Sequence, residues 1–262
     1  MTVRLVSATR STEHAFWSES YLGRSLRAIP PELRPEELAI RFENVGDRAL
    51  GLPAIYNRAI ESASADTTLL FVHDDVFIHD PFIKARLAEG LCHAHVLGLA
   101  GSRNSDLAQP SWGLSFAGEA LTPRGWQNHE GLVLAGTVSH AHPGSSDIVS
   151  PPPVTLSRYG EATASVDLLD GLFLAARAGE LWERNVTFDE RFTFHHYDLD
   201  FCRSARRKYL ELMTWPILVT HGSGGDFTSE SWKASARQYL DKWSPSPRLP
   251  ARASPTLSPP AP

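Results

Sequence analysis

In Phe71-Val72-His73-Asp74-Asp75-Val76, two acids follow directly on a compact apolar run, Leu69-Leu70-Phe71-Val72. A run of that length and composition suits a strand buried on both faces. The acids would then stand at the rim of a sheet, where a carboxylate can hold a hard divalent cation. Manganese or magnesium needs only one or two protein carboxylates if the substrate brings a diphosphate. The plainer reading is that Asp74 and Asp75 end a strand and begin a turn. A second signal is Phe194-His195-His196-Tyr197-Asp198-Leu199-Asp200-Phe201-Cys202, where a helix opens with two acids. Positions i and i+2 face different ways on a helix, so Asp198 and Asp200 are not expected to share one job. One can face a cleft as a general base while the other caps. The helix dipole favours acids in a first turn whatever their function. A third is Ile217-Leu218-Val219-Thr220-His221, followed by Gly222-Ser223-Gly224-Gly225. An imidazole at a strand end can complete a metal shell, and the glycines can hinge a lid.

The elements that must position these groups alternate between strand and helix. Val3-Arg4-Leu5-Val6-Ser7-Ala8 reads as a first strand, and residues 11–29 as a helix ending at Pro30-Pro31. A short strand over 38–42 and a helix over 51–64 follow, with Pro53 near the start of that helix, where a missing N–H is harmless. Strands are expected over 68–73 and 96–100, and Asp80 is expected to cap a helix running to about residue 93. The middle, 101–165, is rich in Gly, Ser and Pro and reads as loops and short strands over the site, with a break at Pro151-Pro152-Pro153. Residues 166–175 look like a strand pair interrupted near Asp170-Gly171. Helices over 198–208 and 229–243 bracket one more strand within 210–220. Such alternation predicts an α/β fold with a doubly wound, mostly parallel sheet flanked by helices. Ligands of such sheets bind outside the carboxyl ends of the strands. That puts Thr9, Asn44 and His73-Asp74-Asp75 on one rim.

The chain has 262 residues, 42% of them apolar and 21% charged, which fits a globular protein and excludes a disordered one. Its net charge of −5 argues against a chain devoted to nucleic acid. Two cysteines, Cys92 and Cys202, cannot build a disulfide framework and suit a reducing compartment. No apolar run approaches the ~18 residues of a transmembrane segment, and the first residues lack the apolar core of a signal peptide. The expectation is a cytoplasmic protein.

Taken in order, strand–His73-Asp74-Asp75, Asp170-Gly171-Leu172-Phe173, Tyr197-Asp198-Leu199-Asp200-Phe201-Cys202 and strand–His221 resemble the family-2-like glycosyltransferases of GT-A fold. The resemblance is strongest to the streptomycin-biosynthesis-type glycosyltransferase-2-like domain, and it covers about residues 3–225. It implies a single domain over 1–243, with a nucleotide-sugar donor half (1–100) and an acceptor half (101–243). Residues 244–262, rich in Pro, Ser and Ala, read as a disordered tail. The resemblance also implies transfer of a sugar from a nucleotide-sugar donor to a hydroxyl acceptor with inversion, assisted by Mn2+ or Mg2+. It gives Asp75 and His221 as metal ligands and Asp198 as catalytic base. Thr9, Asn57, His73 and Asp74 fall on the donor side, with His73 where many members carry an acid. Asp170 and Gly171 fall on the acceptor side. Tyr197 stands where many members carry Glu.

Other features have plainer readings. His93-Ala94-His95 and His140-Ala141-His142 have metal-like spacing but no second pair of ligands nearby, so packing or surface histidines are expected. His196, beside Asp198, is a candidate for the acceptor cleft. Arg203, Arg206, Arg207 and Lys208 read as a solvated helix face. Trp112, Trp126 and Trp182 could stack on sugar rings or fill the core, and Trp112, placed in a loop, is the acceptor-side candidate. Two other functions remain open. A nucleotidyltransferase should carry a Gly-rich loop after the first strand, and Val6-Ser7-Ala8-Thr9-Arg10-Ser11 has no glycine. A non-catalytic sugar- or nucleotide-binding module would keep the aromatic loops while its acid pointed away from the cleft.

Overall fold

Residues 2–118, 120–126, 133–141, 154–227 and 229–244 are described by the computed structural model of the chain. The first half runs β1 (Val3–Ala8), α1 (Glu13–Glu19), α2 (Tyr21–Ala28), β2 (Glu37–Arg41), α3 (Leu52–Ser62), β3 (Thr68–Val72), β4 (Val76–Ile78), α4 (Ile83–Gly90), β5 (Val96–Gly98) and β6 (Ala100–Ser102). The second half runs β7 (Leu114–Ala117), β8 (Thr122–Trp126), β9 (Leu134–Ala141), β10 (Val154–Arg158), β11 (Ala164–Val166), β12 (Leu168–Leu169), β13 (Phe173–Arg177), α5 (Ala178–Glu183), α6 (Tyr197–Arg207), β14 (Leu212–Thr214), β15 (Val219–His221) and α7 (Glu230–Trp243).

The large sheet has the order β11-β14-β5-β13-β3-β1-β2. Strands β1, β2, β3, β5 and β14 run one way, and β13 and β11 run against them. The class expected from the alternating pattern, α/β with a largely one-directional sheet and flanking helices, is the class observed. β3 lies between β1 and β13, and all five of its residues are buried, as its unbroken apolar run requires. A second sheet has the order β12-β6-β9-β15-β4, with β10 beside β9, and β7 and β8 form a separate pair. Helix α3 packs on β1 and β3, and α6 packs on β12.

Several local departures have identifiable causes. The single helix expected over 11–29 breaks at Ser20. The Ser20 hydroxyl donates to the Phe16 carbonyl (2.7 Å) and accepts the Gly23 N–H (2.9 Å), so it ends one helix and caps the next. The strand expected over 96–100 is two strands, β5 and β6, which belong to different sheets. The stretch 210–220 likewise divides into β14 and β15. The pair expected around Asp170-Gly171 is present as β12 and β13, again in separate sheets. β4, directly after the acids, was not anticipated. The Pro151-Pro152-Pro153 break and residues 245–262 of the expected tail lie outside the described residues.

An aromatic cluster fixes the floor under the site. Phe188 stacks on Phe201 of α6 with centroids 4.2 Å apart and meets Phe71 of β3 at 5.2 Å, while Tyr56 of α3 meets Phe71 at 4.6 Å. Each such pair adds ~0.5–1.5 kcal/mol beyond its buried area. The cluster therefore ties α3, β3 and α6 to one another. Helix α7 anchors α6 from another direction. Asp200 accepts from Trp243 Nε1 (2.7 Å) and pairs with Lys242 (2.6 Å), and Arg203 donates to the Tyr239 hydroxyl. Asp200 thus docks α6 onto α7 and does not line the cleft; the capping role expected for the second acid is not seen, because no side chain caps α6.

Candidate active site

The chain leaves β1 for β2 on one side and later enters β3 on the other, so the winding reverses beside β1. The crevice outside the carboxyl ends at such a reversal is where doubly wound sheets hold ligands. Ala8 ends β1 there and Val72 ends β3. Because β13 runs antiparallel to β3, its first residue, Phe173, pairs with Val72. That delivers Asp170-Gly171-Leu172 to the same rim, where the Leu172 carbonyl accepts the His73 N–H (3.1 Å). β15 pairs with β4 so that His221 lies opposite Val76, and the Gly222 N–H donates to the Asp75 carbonyl (2.8 Å). Sheet register alone thus brings His221 beside Asp75.

His73, Asp75 and His221 form a cluster whose potential ligand atoms all lie within 4.8 Å of one another. His221 Nε2 is 3.4 Å from Asp75 Oδ2 and 3.2 Å from the Ser223 hydroxyl. Asp75 Oδ1 is buried and has no hydrogen-bond partner. A buried carboxylate oxygen without a partner is costly, and a bound cation would satisfy it. The donor set therefore fits a divalent ion. Burial opposes ionisation of Asp75, yet the hydrogen bond and charge of His221 hold its carboxyl well below the usual range. Burial likewise opposes charging of His221, and Asp75 outweighs it, raising the imidazole. Burial lowers His73, which keeps that imidazole neutral. Asp74 is pushed up by burial, against a hydrogen bond from Thr9.

Asp198 lies at the start of α6, beside Gly171. Its Oδ2 accepts the Gly171 N–H at 2.8 Å. Burial and then the charge of Asp170 push its carboxyl up to about 7, against hydrogen bonds from nearby backbone N–H groups. A carboxylate that titrates near neutrality is suited to take and return a proton. Asp170 itself is held by the Trp112 indole N–H (3.1 Å) and the Leu172 N–H (3.0 Å).

These groups share one cleft of about 470 Å³. Of the residues singled out from sequence, His73, Asp74, Asp75, Trp112, Asp170, Gly171, His196, Asp198 and His221 all line it. Thr9 lies beside it, buried and bonded to Asp74. Asn57 stands apart from these residues. It does not line the cleft, because its amide accepts from the Phe188 N–H and donates to the Phe188 carbonyl, both at 2.9 Å. That clamps α3 to the loop before α6. His196 reaches the cleft wall, but its nitrogens are engaged by the Ser235 hydroxyl (3.0 Å) and the Pro110 carbonyl (3.1 Å), and its φ of 63° bends the chain into α6. Burial, then the neighbouring His195, lowers its imidazole to about 3. Arg203 is not on a solvated face. It is buried and also donates to the Ser105 hydroxyl and the Asp106 carbonyl. Trp182 donates to the Ile60 carbonyl (3.0 Å) and does not line the cleft. The side chains of Trp126 and His142 lie outside the described residues.

Sequence reasoning missed three cleft residues. His140 was expected to be a packing or surface residue, yet β9 pairs with β15 so that His140 lies opposite His221, with ring centroids 5.7 Å apart. Tyr159 meets Trp112 edge-on at 5.0 Å, and Phe194, 53% exposed, stacks on His73. Only Phe194 had a signal, as an aromatic residue just before the acids of α6. The other two arrive through pairings between distant segments.

No protein-family profile matches the chain, and no curated protein matches it in sequence. Solved structures do match. One is A197 from STIV, at 10% identity and a TM-score of 0.40, covering 85% of this chain and 83% of that one. Another is S. aureus TarS 1-349, at 14% identity and a TM-score of 0.44, covering 93% and 70%. The same TarS segment in complex with UDP matches at 13% identity and a TM-score of 0.41, with the same coverage. Superpositions this loose carry no weight for function, which rests below on the site itself. Among the described residues no helix is long and apolar enough to cross a membrane.

Proposed function

We propose that the protein is a cation-dependent glycosyltransferase that moves a sugar from a nucleotide-sugar donor to a hydroxyl acceptor, with inversion. The observation that carries this reading is the meeting, in one cleft at the reversal of the sheet, of the His73–Asp75–His221 cluster and the near-neutral acid Asp198. His73, Asp75 and His221 would hold the cation, which when bound offsets the charge on a departing diphosphate. Two imidazoles suit manganese better than magnesium, which prefers an all-oxygen shell. Asp198, once ionised, takes the proton of the acceptor hydroxyl as that oxygen attacks the anomeric carbon. The Gly171 N–H holds the carboxylate, and Asp170 and Trp112 line the side from which the acceptor would enter. The donor occupies the side of Thr9 and Asp74, in keeping with a donor half before residue 100 and an acceptor half after it. The cleft volume lies in the range of small-ligand sites. The free thiols of Cys92 and Cys202 fit a cytoplasmic place of action.

The test is thermal-shift screening of nucleoside diphosphates and their sugars with and without Mn2+, followed by turnover of the donor that stabilises most. Asp75→Ala should lose cation-dependent donor binding. Asp198→Asn should keep donor binding and lose transfer. Equal transfer by Asp198→Asn and wild type would remove Asp198 as the base. Binding without turnover would favour a binding module, and nucleotidyl transfer from a nucleoside triphosphate would favour the other enzyme class.

A further inference from the structure

Tyr197 stands between the candidate cation cluster and the segment that carries Gly171. Its hydroxyl lies 2.9 Å from the Gly171 carbonyl oxygen and 2.7 Å from His73 Nε2. A phenol carries one proton, and a carbonyl oxygen can only accept. The proton therefore goes to Gly171, and the phenol oxygen is left as an acceptor toward His73. His73 Nε2 must then carry the imidazole N–H, which leaves the lone pair on Nδ1. A neutral imidazole ligates only through its bare nitrogen, and the bond made by the other nitrogen decides which one that is. We infer that Tyr197 is a positioning residue that locks His73 in the Nε2–H tautomer and so reserves Nδ1 for the cation shared with Asp75 and His221.

The inference rests on the cation reading above and adds to it a residue that acts on the ion through His73. Tyr197 is well held for such a task. It is buried, with Phe188 at 6.0 Å and Tyr56 at 5.8 Å between ring centroids. The close approach also explains Gly171. A Cβ there would stand 2.5 Å from the Tyr197 hydroxyl oxygen and 2.8 Å from Asp198 Cβ, so any larger residue would push the phenol off its line. The Gly171 N–H meanwhile donates to Asp198. Hydrogen bonds thus run from His73 through Tyr197 and Gly171 to the proposed base.

The test uses the full chain with 15N-labelled histidine. Long-range 1H–15N correlation spectra of the metal-free protein should show His73 as the Nε2–H tautomer, and Tyr197→Phe should turn it into a mixture. Calorimetric titration with Mn2+ alone should show affinity weakened about 10- to 100-fold in Tyr197→Phe. An Nδ1–H tautomer in the wild type would overturn the inference, even if the variant failed to fold. A folded Tyr197→Phe that binds Mn2+ within twofold of wild type would overturn it too. A wild type with the Nε2–H tautomer that binds no Mn2+ would instead bring down the cation reading, and with it the reservation of Nδ1, while leaving the tautomer lock standing.

Discussion

Replacing Asp198 by Asn should remove transfer and at the same time stabilise the protein, by an amount that depends on pH. Asp198 is buried beside Asp170, and its carboxyl is raised from 3.8 to about 7. A raised acid destabilises the folded state once it must ionise. Below the unfolded carboxyl pKa of roughly 4, both states hold the proton and the cost vanishes. The cost grows as pH rises and levels off above about 7. The displacement corresponds to a ceiling of about 4 kcal/mol, which relaxation and water at the cleft mouth will reduce. Asparagine carries no charge and can still accept the Gly171 N–H through its carbonyl oxygen. Urea denaturation of both proteins across pH 4–8 should therefore give curves that nearly coincide at the acid end, with Asp198→Asn more stable by ~1–3 kcal/mol at the alkaline end. The subtraction cancels the groups that do not interact with Asp198. A difference that does not change with pH, or a variant less stable at pH 8, would refute the account of why this acid titrates near neutrality.

Two further outcomes follow from the same geometry. Asp170→Asn removes the second cause of the raised Asp198 carboxyl, so the acid limb of the pH–rate profile should move to lower pH, and an unmoved or raised midpoint would contradict the coupling. Gly171→Ala forces a Cβ against Tyr197 and Asp198 and should cost ~1–3 kcal/mol in a urea melt, whereas an unchanged midpoint would show that the approach is looser than described.

Much of the site was legible because its chemistry sits at strand ends that the sequence marks clearly. The apolar run before His73 and the run before His221 each say where a strand stops, and the alternation of elements says that strand ends converge. The helix holding Asp198 and Asp200 was legible too, and so was the expectation that only one of the two acids would face a cleft. What local patterns could not supply was pairing between distant segments. His140 enters the cleft because β9 lies beside β15, and β9 falls in a stretch that reads as loops and short strands with no pairing marked. Arg203 looked like part of a basic surface because its neighbours Arg206, Arg207 and Lys208 are charged. It is buried because α7 returns over α6 and offers the Tyr239 hydroxyl. Asn57 had the right residue type in the right kind of helix. Its amide was already committed to the backbone of Phe188, a segment far along the chain. His73 carried a role at the nucleotide by resemblance, and only the register of β15 with β4 showed that it faces His221 and Asp75.

The central claim is that His73, Asp75 and His221 hold one cation beside Asp198, and the location of that cation tests it most directly. A crystal soaked in Mn2+ and measured for anomalous scattering should show a single strong peak about 2.1 Å from Asp75 Oδ1, His73 Nδ1 and His221 Nε2. A cleft without a peak, or a peak held elsewhere with Asp75 Oδ1 still unpartnered, would contradict the account.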